Sequence, residues 1–204
     1  MPLVRKPAAA ASAPTAPADI TRDLAADNAE LRWSAARAAG GQPECAALLG
    51  AALRTEPVAR VREAMFTSLA RIGSAGVAAL LPLLRSDDAN LRTGALDALR
   101  ILVREDTQLL PPLLQDDDVD VRILSCELAR ALPGDAATSL LADLLRHEAD
   151  VNVCAAAVDV LAEVGQSAAL PALADCAARF PAAPFLAFAV QVTADRINAG
   201  ATRG

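Results

Sequence analysis

The chain has no tyrosine, one tryptophan and four phenylalanines in 204 residues, so aromatics make up only 2% of it. A core of stacked rings is excluded, and any interior must be assembled from alanine, leucine and valine, which dominate the 54% hydrophobic content. These residues suit helix packing, and alanine has the highest helix propensity. No apolar run approaches the roughly 18 residues of a membrane span. An excess of positive charge is missing too, the formal net charge being −6. That argues against a general nucleic-acid binder, which needs a basic stripe to neutralise phosphates, and against docking on anionic lipid. There is one histidine, and Cys45, Cys126, Cys154 and Cys176 are scattered without the C-x-x-C spacing favoured by zinc or redox sites. Buried free thiols in a reducing cytoplasm are the expectation.

What is present is repetition. Leu31-Arg32, Val61-Arg62, Leu91-Arg92 and Val121-Arg122 stand thirty residues apart, and Val153-Cys154 follows after thirty-two, keeping the apolar residue and losing the arginine. Self-similarity at a period of about 20 to 50 residues marks a solenoid or an array. Before the first copy, residues 1–18 alternate alanine with prolines at 2, 7, 14 and 17. Those prolines break helices, and no contiguous apolar h-region of a secretory signal is present. A disordered tail is expected there, a solenoid of five to six repeats over 19–198, and a frayed end over 199–204.

Each unit reads as two helices. The first ends in leucine at Leu53, Leu83, Leu113 and Leu145, and a short acidic turn follows. The second opens on the aliphatic-arginine pair. Small residues recur four places after the aliphatic one, at Ala35, Ala95, Ser125 and Ala157, with Met65 as the exception. Leu69, Leu99 and Leu161 recur eight places after it, with Ala39 and Ala129 in the other copies. Small residues let helices approach while leucines fill the gaps between layers. One pair cannot bury both faces alone, so the copies must stack.

With its leucine-rich first helix, Pro82 and Pro112 thirty residues apart, and Glu56 before Val61-Arg62 and Asp116 before Val121-Arg122, the chain resembles the HEAT-repeat family in its short bacterial form. That resemblance implies an all-α, right-handed solenoid. The later copies, at Val153-Cys154 and Pro184 to Val190, lack the arginine, as terminal repeats that cap a stack do. Phe185 and Phe188, with Phe180 nearby, are expected to close the core at that end.

The ladder of Arg32, Arg62, Arg92 and Arg122 has two readings. It is an anion-binding stripe, or each arginine bonds the acidic turn of its own or the adjacent repeat; acids within six residues in every copy favour the second, structural role. His147-Glu148 invites comparison with the deoxyhypusine hydroxylases, HEAT-repeat enzymes that hold iron through several His-Glu pairs. A single pair is insufficient for such a site. No phosphate loop or nucleophile elbow occurs either. No metal or other cofactor is therefore expected.

The remaining candidate is the exposed face of the second helices. Trp33, Glu63, Thr93, Ile123 and Ala155 stand two places after the aliphatic position, and Arg37, Thr67, Asp97, Glu127 and Asp159 six places after it. The expectation is a non-enzymatic, cytoplasmic scaffold or adaptor whose partner is another protein, neither nucleic acid nor membrane. Trp33 and Ile123 would anchor that partner beside an acidic stripe of Asp97, Glu127 and Asp159, unless Trp33 instead caps the first repeat. The alternative implied by the resemblance is an accessory lyase like the phycobilin lyases, which carry HEAT-like repeats, or another HEAT-dependent enzyme.

Overall fold

A computed structural model of the chain describes residues 15–201. Among them are twelve α-helices and no strand, arranged as six helix pairs. The first helices of the pairs are α1 (Pro17–Leu24), α3 (Ala46–Leu53), α5 (Ser74–Leu84), α7 (Leu110–Leu113), α9 (Gly134–His147) and α11 (Leu170–Arg179). The second helices are α2 (Ala29–Ala38), α4 (Ala59–Ile72), α6 (Ala89–Glu105), α8 (Val119–Leu128), α10 (Val151–Val164) and α12 (Pro184–Ala201). Each second helix packs on its own first helix and on the second helices before and after it, so the second helices form one continuous layer. The fold is an all-α repeat. None of the described helices is long and apolar enough to cross a membrane.

The stacking follows from the repeated positions. Leu53, Leu83, Leu113 and Leu145 at the ends of the first helices are buried. So are the small residues Ala35, Ala95, Ser125 and Ala157, and behind them Leu69, Leu99 and Leu161. Local chemistry sets the boundaries. The side chains of Asn28, Asp88, Asp118 and Asp150 accept the backbone N–H two residues on, at 2.8–2.9 Å, and so start α2, α6, α8 and α10. Gly73, at φ +80°, turns the chain between α4 and α5 in a conformation that a side chain would resist.

The ends differ from expectation. The tail expected over 1–18 is already helical from Pro17, because a proline fits the first helical turn and Ile20 and Leu24 reach the core; residues 1–14 lie outside the described residues. The end expected to fray from 199 instead continues α12 to Ala201, and 202–204 lie outside the described residues. Phe185 and Phe188 do not close the core and are 52% and 71% exposed. The helix turns Leu186, Val190, Thr193 and Ile197 inward at intervals of four, three and four, which sends the phenylalanines elsewhere. Leu31 is 48% exposed while Val61, Leu91, Val121 and Val153 are buried, since no earlier second helix covers α2 among the described residues.

Candidate functional site

The four ladder arginines share one bond and differ in another. Each donates Nη1–H to a backbone carbonyl six residues earlier: Arg32 to Ala26 at 2.9 Å, Arg62 to Glu56 at 2.9 Å, Arg92 to Ser86 at 2.7 Å and Arg122 to Asp116 at 2.8 Å. These carbonyls lie past the ends of the first helices, where intrahelical donors run out. In three of the four turns the side chain of the same residue accepts the N–H two places on, Glu56 from Val58 and Asp116 from Asp118 at 2.9 Å and Ser86 from Asp88 at 3.2 Å.

Reach into the next repeat occurs in two of the four copies. Arg32 grips Glu56 with two bonds, 2.7 and 3.0 Å, and Arg122 grips Glu148 with bonds of 2.9 and 3.2 Å. Twenty-four residues after Arg62, the spacing at which Arg32 has its acid in Glu56, the chain has Ser86, and among the described residues Arg62 bonds only the carbonyls of Glu56 and Pro57. Arg92 would meet Asp116, but that carboxylate is held by Arg85, from the end of α5, at 2.6 and 2.7 Å. The Arg32 guanidinium holds the Glu56 carboxyl below its usual range against the opposing effect of burial. Burial pushes Asp116 up, but the Asp118 N–H and Arg85 outweigh it and its carboxyl also sits low.

In the fifth copy the Cys154 thiol takes the arginine's place, donating to the Glu148 carbonyl at 3.8 Å. Arg179 of α11 supplies the missing guanidinium from the next repeat, with bonds to the carbonyls of Glu148 (3.2 Å) and Leu145. Spacing in the sequence could not reveal this substitution, because Arg179 belongs to a different helix and register. Glu148 is bonded through its side-chain oxygens to Arg122 and to the Asp150 N–H, while His147 beside it is exposed. Among the described residues no group of three or more His, Cys, Asp or Glu is arranged to hold a metal.

All four thiols are buried and free. Burial pushes Cys126 up to about 12. The Cys154 thiol and the Arg179 guanidinium beside it draw the Cys176 thiol below its ordinary value against the opposing effect of burial. With 0% exposure of either sulfur residue, this polarisation meets no solvent-borne reactant.

The positions expected to face outward do lie along the second-helix layer. Glu63, Thr67, Thr93, Asp97 and Asp159 are exposed, and Trp33, Ile123 and Glu127 are half-buried. Trp33 and Ile123 both pack partly against the core. Trp33 also has Arg37 and Arg60 over its ring, with guanidinium carbons 4.7 and 4.2 Å from the centroid. Ile123 borders a groove with Leu84, Arg85, Arg92 and Asp120. The acidic residues are not free. Asp97 pairs with Arg100 at 2.5 Å, and Glu127 and Asp159 both pair with Arg130 at 2.9 and 2.6 Å, with Glu163 on the same guanidinium.

Two grooves open between second helices near the N-terminal end. One, of ≈ 370 Å³ between α2 and α4, is walled by Trp33, Arg37, Arg60, Glu63, Thr67 and Arg71. The other, of ≈ 360 Å³ between α4 and α6, has Phe66, Gly94, Ala98 and Ile101 around it and shares Glu63 and Thr67 with the first. A Cβ on Gly94 would fall 2.2 Å from the Phe66 ring, so the ring lies against bare backbone. Ile101 is 50% exposed. Phe66 and Ile101 were not legible as surface residues, since both sit in an apolar helix pattern.

Residues 107–190 match the family model described as HEAT repeats. No curated protein matches the chain. Among solved structures, an engineered protein is 19% identical, covers 89% of this chain and 96% of its own, and has a TM-score of 0.41. The complex of CpcE and CpcF of phycocyanin lyase from Nostoc sp. PCC7120 is 17% identical over 96% of this chain and 100% of that one, with a TM-score of 0.39. A designed armadillo repeat protein in complex with peptide (KR)4 is 17% identical over 88% and 98%, with a TM-score of 0.40. Residues 107–190 are thus similar to HEAT repeats, and the same helix pair recurs from Pro17 to Ala201.

Proposed function

We propose that this protein is a non-enzymatic scaffold or adaptor that holds another protein on its second-helix face. The observation that carries this reading is the pair of open grooves between α2, α4 and α6, whose walls include Ile101, half exposed, and charged groups that the repeat's own core does not use. Large apolar groups in such grooves gain nothing from the stack and gain free energy when a partner covers them. Trp33 and Ile123 contribute their exposed edges, and Asp97, Glu127 and Asp159 give polar contacts along the rim. Cytoplasmic residence is part of the proposal, supported by four cysteines that remain as thiols.

A scan with a photo-crosslinking amino acid tests it. Placed at Thr67, Thr93 or Asp159 the probe is expected to trap one discrete protein from cell extract, and at Asp143 or Asp175 on the first helices to trap none. Adducts confined to the first-helix positions would refute the assignment of the face.

A further inference from the structure

We propose that the N-terminal half of this face is built for an acidic segment of the partner protein that carries one large apolar side chain, the apolar group entering the groove between α4 and α6 and carboxylates meeting Arg37 and Arg71. The inference rests on the binding-face reading above and adds the chemistry of the ligand.

The argument starts from charge pairing. In a chain of net charge −6, several outward arginines of this layer have carboxylates: Arg60 has Glu30 at 3.0 Å, Arg100 has Asp97, and Arg130 has three, while Arg104 and Arg196 have none among the described residues and line neither groove. Arg37 and Arg71 are exposed, line the same groove, and among the described residues make no hydrogen bond or ion pair. The Arg37 guanidinium is instead held over the Trp33 ring. Arg71 lies against Gly40, where a Cβ would come within 3.1 Å of its Nη1. Both are thus positioned by packing with their donors unspent, the arrangement that receives a carboxylate with two bonds.

The apolar subsite lies one helix further along. Phe66 over Gly94, Ala98 and the exposed flank of Ile101 form it. Neighbouring helix axes stand about 8–10 Å apart, and an extended chain advances about 3.3–3.6 Å per residue. A segment crossing the helices therefore places its carboxylates about three residues from its apolar anchor. Glu63 and Thr67, shared by the two grooves, face the spacer between them, where a further carboxylate would be repelled and small uncharged residues fit.

The probe is a fluorescent nonapeptide with phenylalanine at its centre, two uncharged residues on either side and a pair of glutamates at each end. Fluorescence anisotropy is expected to show saturable binding that weakens several-fold between low and moderate salt, as exposed ion pairs do. The double change Arg37→Glu with Arg71→Glu, and separately Ile101→Ser, should each weaken binding at least tenfold, while Arg146→Glu on the first-helix side leaves it unchanged. Should the double variant melt below the wild type, Arg37→Gln with Arg71→Gln takes its place. Equal binding of a peptide with lysines for glutamates, no saturation of the acidic peptide, indifference to the arginine changes, or tighter binding of a nine-nucleotide single strand would each overturn the proposal. Crosslinks on the second-helix face together with any of those results would leave the scaffold reading standing and remove only this one.

Discussion

Replacing Arg122 by alanine is expected to cost about 3 kcal/mol, whereas the same change at Arg92, thirty residues earlier, should cost about 1. The two occupy the same place in the repeat, and the difference lies in their partners. Arg122 donates twice to Glu148 and to the carbonyls of Asp116 and Asp117. Its loss strands a carboxylate whose side chain is only 7% exposed and which retains the Asp150 N–H alone. Breaking such a pair costs about 3–5 kcal/mol, and the remaining donor places this case at the lower end. Arg92 has one bond, to the Ser86 carbonyl, and no carboxylate, so about 1 kcal/mol for a single hydrogen bond applies. Urea unfolding followed by far-UV circular dichroism reads both values from the midpoints, provided the slopes match. A cycle with Glu148→Ala should return a coupling of about 1.5–3 kcal/mol for Arg122, the range for hydrogen bonds to charged groups. Equal losses for the two alanines, or a coupling near zero, would refute a ladder whose strength is set by the acid in the following turn.

Ser125→Ala is expected to raise stability by about 1 kcal/mol, because the buried Ser125 hydroxyl has no hydrogen-bond partner and alanine removes that cost; the same urea titration checks it. Arg179→Ala should lower stability by about 1 kcal/mol, through loss of donors at the C-terminal end of α9, and Cys154→Ala should cost less than Arg179→Ala if the guanidinium has replaced the ladder arginine. Glu56 and Asp116 have folded-state pKa values below their unfolded ones, so their stabilisation is complete above about pH 4–5 and is lost as pH falls through the lower, folded values. A melting temperature measured from pH 6 down to 2.5 should therefore fall, and Glu56→Gln should flatten part of that fall. The four thiols should resist a disulfide reagent in the native protein and all react in denaturant; rapid native labelling of any one would show that its layer opens.

The repeat was legible because its signals are local. A thirty-residue period, acidic turns after the first helices, and small residues spaced by helical turns each act within one helix pair, so the sequence carries them directly. The cross-layer contacts were only half legible. The acid that follows Arg122 in the next turn, Glu148, could be read from position, but the capture of Asp116 by Arg85 depends on which of two arginines reaches it first in space. The outward face was legible as a set of positions and not as a surface. Trp33 looked like a free apolar anchor, yet two guanidiniums cover its ring. Ile101, ten places after the aliphatic position, is half exposed instead, in a helix long enough to carry it past the core. Phe185 and Phe188 misled for the same reason: hydrophobic character gives no direction without the helix phase set by Leu186 and Val190.

The distribution of arginine bonds along the stack bears on where a partner is held. Arg32 with Glu56 joins the first layer to the second, Arg85 with Asp116 the third to the fourth, Arg122 with Glu148 the fourth to the fifth, and Arg179 the fifth to the sixth through carbonyls. Between the second and third layers the turn position has Ser86 instead of an acid, and among the described residues no arginine bond crosses that junction. Solenoid stability is close to a sum of repeat and nearest-neighbour terms, so this junction rests on apolar packing of α3 on α5 and of α4 on α5 and α6, with Phe66 on the bare backbone at Gly94. Packing of that kind tolerates small changes of separation better than a two-bond ion pair, whose geometry is fixed to tenths of an ångström. The apolar groove proposed for the partner's anchor opens at this junction, where apolar packing without an arginine bond sets its width.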